Sequence, residues 1–381
     1  MTRAQLLIIS FSTIETDARV LKQVRRLSRD HDVHTVGYGA SPSEVVSHVR
    51  IPDELPIWRY ERSALILRRF RKAYWENQAI AFAAGELRGT RWDAIIANDV
   101  DAVGLALAQY SIHGVHADLH EYAPRQKEDV ARWRLFVAPF MRWMCRRFVT
   151  RADSVSTLGQ GIADEYLREF GIRAEVVTNA TPLHVLAPTA VAEPIRLVHS
   201  GAGLRDRNLI LMAEAVAAAS TDVTLDFYLT ANDPGYIREL RAFAETTGGR
   251  VRVLDPVPYS DLIPALNRYD VGVFLLPPVN FNYRWALPNK FFDYVQARLG
   301  VVIGPSPEMA GVLERHGFGA VADGFDVEAL TRVLDGLRAE TVSRWKSAAD
   351  DVAVELSGES QTEIWAQAIQ RLLSNSAPEG R

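Results

Sequence analysis

Short apolar runs alternate with longer segments of helical period along this chain, and that alternation constrains the fold more than any other feature. In the first half, the predicted strands lie within residues 6–10, 31–39, 92–99, 114–122, the start of 153–171, and 174–182. The alternation restarts with runs at 195–203, 223–230, 250–257 and 271–277. Strands separated by helices predict a parallel, doubly wound sheet, so we expect an α/β protein with two such domains in succession.

A proline-containing segment without helical period, residues 180–194, separates the two halves and is predicted to be the interdomain linker. We therefore predict an N-terminal domain at 1–187 and a C-terminal domain at 188–355. The remainder, 356–381, contains an amphipathic helix that we expect to pack back towards the N-terminal domain. Two doubly wound domains placed face to face form a cleft, and open parallel sheets bind ligands at the carboxyl ends of their strands.

Composition excludes several protein classes. The chain is 48% hydrophobic and 24% charged, which is typical of a folded globular protein. Its one cysteine, Cys145, rules out an intramolecular disulfide and a cysteine metal cluster. No apolar stretch approaches the roughly 18 residues of a membrane span, and the apolar run near the N-terminus is too short for a signal peptide. We expect a soluble, cytoplasmic protein.

The stretch LPNKFF at 287–292 is predicted to begin a helix, with Pro288 at the first helical position. Lys290 would then lie in the first turn, where the helix dipole disfavours a cation unless an anion is bound nearby. Asp293 follows at i+3 on the same face, and its carboxylate could accept hydrogen bonds from a ribose diol. A surface Lys–Asp pair remains the alternative interpretation.

The segment SGAGLRDRNL at 200–209 follows a predicted strand and opens a helix. Gly201 and Gly203 give only a partial match to a phosphate-binding glycine turn, because the third glycine is missing. Arg205 and Arg207 could clamp a pyrophosphate, or they could be ordinary solvated arginines. The loop after the first strand has no glycine, which argues against dinucleotide binding in the first half.

Polar residues also follow strands in the first half. His120 could bond a sugar hydroxyl or hold a charge at the reacting centre, and Glu121 beside it could orient a substrate. Asn98 and Asp99 occupy a similar position after another strand, although each of these residues could equally be structural. The sequence Asp-Val-Asp at 99–101 is interpreted as a helix start and not as a metal clamp.

Several blocks of sequence, taken together in their order, resemble the retaining glycosyltransferases of the GT-B fold, glycosyltransferase family 4-like (glycosyl transferases group 1). The resemblance covers nearly the whole chain, and the stretch YRWALPNKFFDYVQARLGVVIG is similar to the family signature. It implies two Rossmann-like domains facing across a cleft. The blocks that carry it lie at 16–36, 118–122, 152–182, 199–216 and 283–304.

The resemblance implies roles for residues of the second half. Lys290 and a basic residue after the glycine turn would bind the donor's diphosphate; Arg207 matches that position best, with Arg205 as the alternative. Asp293 would bind the ribose, in place of the family's glutamate. The residues that the resemblance implies for binding the nucleotide sugar are Gly201, Arg205, Arg207, Val257, Pro288, Asn289, Lys290 and Asp293. Val257 would lie near the base of the nucleotide.

On the first half, the resemblance places His120 against the donor sugar near the reacting carbon. His120, Lys290 and Arg207 are therefore the predicted catalytic residues. Contacts to acceptor or sugar are expected from Glu121, Asn98, Asp99 and Tyr283. The donor would be a UDP- or GDP-sugar, no further cofactor would be required, and no metal is needed because cations already face the diphosphate.

This sequence also departs from the family pattern. Many members have a second glutamate eight residues before the ribose acid, where this chain has Trp285. The Gly-x-Pro-Val segment of the family is altered as well, with Leu299 and Val301 in place of its Gly and Pro. These changes leave the predicted anion site intact but bear on the donor sugar and on the activity.

Two stretches of the first half are rich in basic and aromatic residues. Residues 58–75 hold six Lys or Arg, and residues 131–151 hold six Arg, two Trp and no acid. Such helices can lie on anionic membranes, so the predicted acceptor is a glycan, a lipid-linked molecule or a small molecule, with peripheral contact to the inner face of an anionic membrane left open. Core helices with snorkelling arginines are the alternative. Nucleic acid is not expected as a partner.

Three other functions remain as alternatives at this point. A nucleotide-sugar 2-epimerase shares the two-domain architecture and would need no acceptor. A non-catalytic nucleotide-sugar-binding protein would fit the departures at Trp285 and Asp293. A nicotinamide dehydrogenase is disfavoured because the glycine fingerprint is incomplete.

Overall fold

The computed structural model describes residues 3–374, which contain fifteen strands and seventeen α-helices. The strands are β1 (Gln5–Thr13), β2 (Asp32–Tyr38), β3 (Ser47–Arg50), β4 (Arg91–Trp92), β5 (Ala94–Asn98), β6 (Tyr110–Ser111), β7 (Val115–Leu119), β8 (Ser154–Thr157), β9 (Glu175–Val176), β10 (Ile195–Ala202), β11 (Val223–Thr230), β12 (Val251–Leu254), β13 (Val271–Phe274), β14 (Gly300–Ile303) and β15 (Gly319–Val321).

The helices alternate with these strands. They are α1 (Ala18–Leu27), α2 (Arg62–Ile66), α3 (Phe70–Trp75), α4 (Gln78–Glu86), α5 (Asp99–Ala106), α6 (Ala131–Phe136), α7 (Ala138–Arg147), α8 (Gln160–Phe170), α9 (Leu209–Ala218), α10 (Pro234–Glu245), α11 (Tyr259–Leu266), α12 (Phe281–Arg284), α13 (Asn289–Gln296), α14 (Pro307–His316), α15 (Val327–Asp335), α16 (Ala339–Asp351) and α17 (Gly358–Ser374).

The chain divides into two compact units. Unit 1 runs to Thr178 and also takes in Asn280–Asn282 and the segment from Gln361; unit 2 takes in Asn179–Val279 and Tyr283–Ser360. The division after Thr178 differs from the 187/188 boundary predicted from sequence, and it assigns the predicted linker to unit 2. Hydrogen bonds explain that assignment: the backbone N–H of His184 donates to Gln296, and its carbonyl accepts from Arg298.

Unit 1 is built on a seven-stranded sheet in the order β3-β2-β1-β5-β7-β8-β9, with every pair parallel. Strand β1 is buried along Leu6–Ile9, as expected for a central parallel strand covered on both faces. Asp17 is the N-cap of helix α1, and its carboxylate accepts from two backbone N–H groups of the first turn. The helix buries Val20 and Val24 in the core. From α17, Ile369 joins the same core.

Unit 2 is built on a six-stranded parallel sheet in the order β12-β11-β10-β13-β14-β15. The strand order reverses direction between β10 and β13, as it does between β1 and β5 in unit 1. Such switch points leave a crevice at the carboxyl ends of the strands, where doubly wound sheets bind their ligands. The topology therefore confirms the predicted α/β class, and the residues at the carboxyl ends of β10, β13, β5 and β7 become the candidates for ligand binding.

The structure adds detail to two stretches singled out from the sequence. Helix α13 begins at Asn289 and not at Pro288, because the extended backbone of Pro288 (φ −80°, ψ 157°) makes it the N-cap. The basic stretch at 131–151 contains the two helices α6 and α7. Among residues 3–374, no helix is long and apolar enough to cross a membrane.

Candidate active site

Lys290 lies at the switch point of the unit 2 sheet. It is the second residue of α13, and its ammonium lies 4.4 Å from the ring centre of Phe274, the last residue of β13. A Cβ atom on Gly201, near the end of β10, would come within 2.7 Å of Lys290 Nζ. Gly201 also has φ of +138°, which side chains rarely adopt, so glycine is required there on two counts.

His199 on β10 holds the ammonium group of Lys290. Its Nδ1 lies 2.9 Å from the carbonyl oxygen of Val273, which can only accept, so Nδ1 carries the proton. The unprotonated Nε2 then accepts from Lys290 Nζ at 3.2 Å. Burial and the positive charge of Lys290 keep the pKa of His199 well below its ordinary value, so the ring stays neutral. Sequence reasoning missed this residue.

The charge on Lys290 is poorly compensated by the protein. Burial, with a smaller contribution from Arg207, lowers the pKa of Lys290 to about 7, while Asp293 acts in the opposite direction. Within residues 3–374, Lys290 forms no ion pair with a carboxylate. A half-buried cation beside a second cation, at the N-terminal end of a helix, is an arrangement that favours a bound anion.

The two arginines of the glycine turn have different surroundings. Arg205 is exposed, and its two terminal guanidinium nitrogens donate to the carboxylate of Glu239 at 2.7 and 2.8 Å. Arg207 is half-buried, stacks on the ring of Tyr283 at 4.9 Å and influences the pKa of Lys290. The structure therefore brings Arg207, and not Arg205, together with Lys290.

The other predicted nucleotide residues lie around α13. Asp293 is buried and accepts a 2.5 Å hydrogen bond from the hydroxyl of Thr181. Asn289 is exposed, and Pro288 and Val257 are half-buried. Val257 lies just beyond the end of β12.

The hydroxyl of Tyr283 donates to Asp206 at 2.8 Å. Leu299 and Val301, which depart from the family pattern, are fully buried in the core of unit 2.

His120 lies at the carboxyl end of β7 in unit 1, where acceptors surround both ring nitrogens. Nδ1 is 3.3 Å from a carboxylate oxygen of Asp99, and Nε2 is 3.1 Å from the amide oxygen of Asn98 and 3.5 Å from Asp118. Burial disfavours a charged imidazole, but Asp99 and Asp118 outweigh it and raise the pKa of His120 above its ordinary value. The site thus favours an imidazolium.

A buried network of hydrogen bonds surrounds Asp118, one of the carboxylates beside His120. Asp118 accepts a two-pronged ion pair from Arg19, at 2.6 and 2.7 Å, and further hydrogen bonds from Gln23 and Ser156. Burial alone would raise the pKa of Asp118, but Arg19 and His120 hold it well below its ordinary value, so the carboxylate stays charged. Sequence reasoning missed Asp118, Arg19 and Gln23, since nothing in their spacing connects them.

The remaining predicted residues of unit 1 surround the same histidine. Asn98 is buried, and its side chain bonds His120 and Gln23, so it orients the imidazole. Asp99 has φ of +65°, an uncommon backbone conformation for a residue with a side chain. Glu121 accepts from Asn282 at 3.4 Å. Burial, and to a smaller extent the charge of Asp99, raises the pKa of Glu121.

Among residues 3–374, no group of three or more His, Cys, Asp or Glu side chains could hold a metal ion.

Comparison with solved structures covers nearly the whole chain. A glycosyltransferase from Rickettsia africae aligns with a TM-score of 0.71 at 10% identity, over 99% of this chain and 100% of its own. HepE from Anabaena, solved with UDP, aligns with a TM-score of 0.70 at 13% identity, over 97% and 100%. Sucrose-phosphate synthase from Thermosynechococcus elongatus gives 0.71 at 13% identity, over 98% and 100%.

The chain has the GT-B fold. No protein-family model matches the sequence, and no curated protein matches it either. With identities of 10 to 13%, the GT-B likeness rests on strand order and element succession, while the side chains of this GT-B protein are largely its own. The predicted two-domain, Rossmann-like fold class is confirmed.

Proposed function

We propose that this protein is a glycosyltransferase that uses a nucleotide-diphosphate sugar as its donor. The observation that carries the proposal is Lys290: a half-buried ammonium without a carboxylate partner in the described residues, beside Arg207, at the N-terminus of α13. The likeness to glycosyltransferase structures over nearly the whole chain supports it.

In this proposal the donor diphosphate binds to Lys290, Arg207 and the first N–H groups of α13. The acceptor oxygen forms a bond to the anomeric carbon, and the bond from that carbon to the diphosphate oxygen breaks with its electron pair. The negative charge that develops on the departing diphosphate is neutralised by the two cations, which is electrostatic catalysis by groups already in place. The acceptor proton leaves with the diphosphate or to solvent.

We further propose that the nucleotide is UDP and that Asp293 binds its ribose. HepE has been solved with UDP, with UDP and glucose, and with UDP-glucose. Asp293 already accepts a hydrogen bond from the hydroxyl of Thr181 at 2.5 Å, so its carboxyl group is held in place and offers acceptor positions for the hydroxyls of a ribose. The glycine turn and the region near Val257 complete the proposed nucleotide site.

On unit 1, we propose that His120 contacts the donor sugar and that transfer proceeds with retention at the anomeric carbon. Asp99 and Asp118 hold an imidazolium at this position, and its positive charge suits the negative charge that develops on the donor during transfer. Glu121 then remains to orient the acceptor.

The test begins with calorimetric titration of the intact protein with UDP, GDP, ADP and dTDP. We expect micromolar binding of UDP and weaker binding of the other three, and Lys290→Ala should remove it. Product analysis with UDP-glucose, with and without a mixture of candidate acceptors, distinguishes transfer from 2-epimerisation and from binding alone. Failure of all four nucleotides to bind would overturn the proposal.

A further inference from the structure

Unit 1 contains a cavity of about 560 Å³ whose walls are mainly apolar and aromatic. Among the apolar and aromatic residues of the lining are Trp58, Ile66, Val130, Trp133, Phe136 and Val137. Several of them stay exposed, Trp58 at 73% and Ile66 at 55%, and helix α6, which forms part of the wall, has no buried residue. A cavity of this size and lining is typical of a small-molecule site.

Basic side chains surround these apolar walls. Arg59, Arg62, Lys127 and Arg132 line the cavity, and within residues 3–374 none of the four forms an ion pair with a carboxylate. The one carboxyl group in the lining, that of Asp101, accepts a hydrogen bond from the hydroxyl of Tyr60, and burial raises the pKa of Asp101 to about 6. The cavity thus has a strong excess of positive charge.

The apolar cavity adjoins the pocket of His120. That second pocket has a volume of about 200 Å³ and is lined by His120, Asp99 and Glu121. Asp101, Gln126 and Met141 line both cavities. A ligand in the larger cavity can therefore extend a polar group past these shared residues towards His120.

We propose that the larger cavity binds the apolar chain of the acceptor and that this acceptor is a lipid phosphate whose phosphate binds to the basic side chains. One phosphate oxygen then reaches past Asp101, Gln126 and Met141 and forms the bond to the anomeric carbon, as the bond from that carbon to the donor diphosphate breaks. The inference deepens the proposed function and rests on it. A phosphate fits better than a carboxylate because a phosphate monoester carries about −1.5 to −2 charges at pH 7, which matches several cations. The guanidinium groups of Arg59, Arg62 and Arg132 can also bind phosphate oxygens in pairs.

Decyl phosphate, used below its micelle concentration, is a simple probe of this cavity. We expect micromolar binding by calorimetry, accompanied by a change in tryptophan fluorescence, because Trp58 and Trp133 line the walls. Decanol tests the chain alone, inorganic phosphate tests the anion alone, and decanoate tests a single charge. Each of the three should bind at least about tenfold more weakly than decyl phosphate.

Two substitutions with matched controls test the location. Ile66→Asp introduces a carboxylate into the apolar wall at an exposed position, and Arg62→Glu reverses one charge of the lining; each should weaken decyl phosphate binding at least about tenfold. Val46→Asp and Arg88→Glu make the same changes at exposed positions of unit 1 outside the lining and should leave it within about twofold.

The outcomes separate this inference from the proposed function. UDP affinity should be unaffected by all four substitutions, so a protein that binds UDP but not decyl phosphate overturns the lipid-phosphate assignment alone. Binding of decyl phosphate without any UDP binding overturns the proposed function instead. If only phosphatidylglycerol vesicles bind, and Ile66→Asp weakens that binding, the patch docks a membrane surface and the acceptor assignment is wrong.

Discussion

The two candidate sites of this protein hold a positive charge in opposite ways. At Lys290 the neighbours of the cation are a neutral histidine, the face of Phe274 and a second cation, and its pKa falls to about 7. At His120 the neighbours are two carboxylates, and the pKa of the imidazole rises. Among residues 3–374, Lys290 has no ion pair with a carboxylate, whereas His120 lies within ion-pair distance of two carboxylates.

This difference indicates what each site requires from a ligand. An anion that binds at Lys290 provides the negative charge that would pair with its ammonium group. Binding of the anion therefore favours the protonated form of Lys290, and protonation of Lys290 favours binding of the anion. The imidazolium of His120 needs no external charge, so this group can contact a neutral sugar without losing its proton. Five substitution and pH experiments test that contrast, beginning with the largest expected effect.

Lys290→Ala should weaken UDP binding by about 100-fold or more, since truncating one partner of a buried charge pair costs about 3 kcal/mol. Calorimetry gives the affinity, and circular dichroism checks the fold. Lys72→Ala removes an exposed lysine from unit 1 as the control and should bind UDP normally. A Lys290→Ala protein that binds like the parent would remove the basis of the diphosphate assignment.

Arg207→Ala should weaken UDP binding about 20-fold, because it removes the second cation near the diphosphate. Arg205→Ala is the matched control, since the guanidinium of Arg205 is already paired with Glu239 at the surface. We expect it to change the affinity by no more than about twofold. The reverse ranking would mean that Arg205 leaves Glu239 to bind the donor.

His199→Phe should weaken UDP binding about tenfold. The ring is kept, so packing against Phe227 and Phe274 is largely preserved, but the acceptor of the Lys290 hydrogen bond is lost. A hydrogen bond to a charged group contributes about 1.5 kcal/mol or more. Thermal unfolding of the variant serves as the control; equal affinity at equal stability would show that Lys290 is positioned without His199.

Affinity for UDP-glucose should fall as the pH rises, by about eightfold between pH 6.5 and 8. Below pH 7 Lys290 is already protonated, whereas above pH 7 the free protein must take up a proton to bind the anion. UDP-glucose is the suitable ligand because both of its phosphates are esterified. Lys290→Arg cannot lose its charge in this range and should show a flat profile; an equally steep profile would assign the titration to another group.

Asp99→Asn should have the smallest effect on donor binding, which we expect to stay within about twofold. Its effect should appear at His120 instead, where the removal of one carboxylate lowers the pKa of the imidazole. Titration of the His120 ring by NMR measures that change directly. An unaltered pKa would mean that Asp118 alone holds the charge.

Much of the Lys290 site could be predicted because its parts are close in sequence or occupy standard positions. Lys290 and Asp293 lie on one helix, and Gly201 and Arg207 flank a strand-to-helix turn. Sequence alone leaves the choice between Arg205 and Arg207 open, because that choice depends on Glu239 and Tyr283, which come from other elements.

The residues that hold the charged groups could not be predicted from spacing. His199 and Lys290 meet across 91 residues, and Arg19 and Asp118 across 99. Local patterns report which residues share a face of one element, not which strands become neighbours. A buried histidine in a strand has the same local pattern whether it bonds a lysine or only packs.

The sequence by itself determined the alternation of strands and helices, the placement of polar residues at strand ends and the cation in the first turn of α13. Local periodicity and turn chemistry suffice for those features, because they depend on neighbours a few residues away. Only the tertiary structure decided the protonation of Lys290 and His120. A pKa depends on burial and on charges within several ångströms, and the strand order of each sheet brings those charges together.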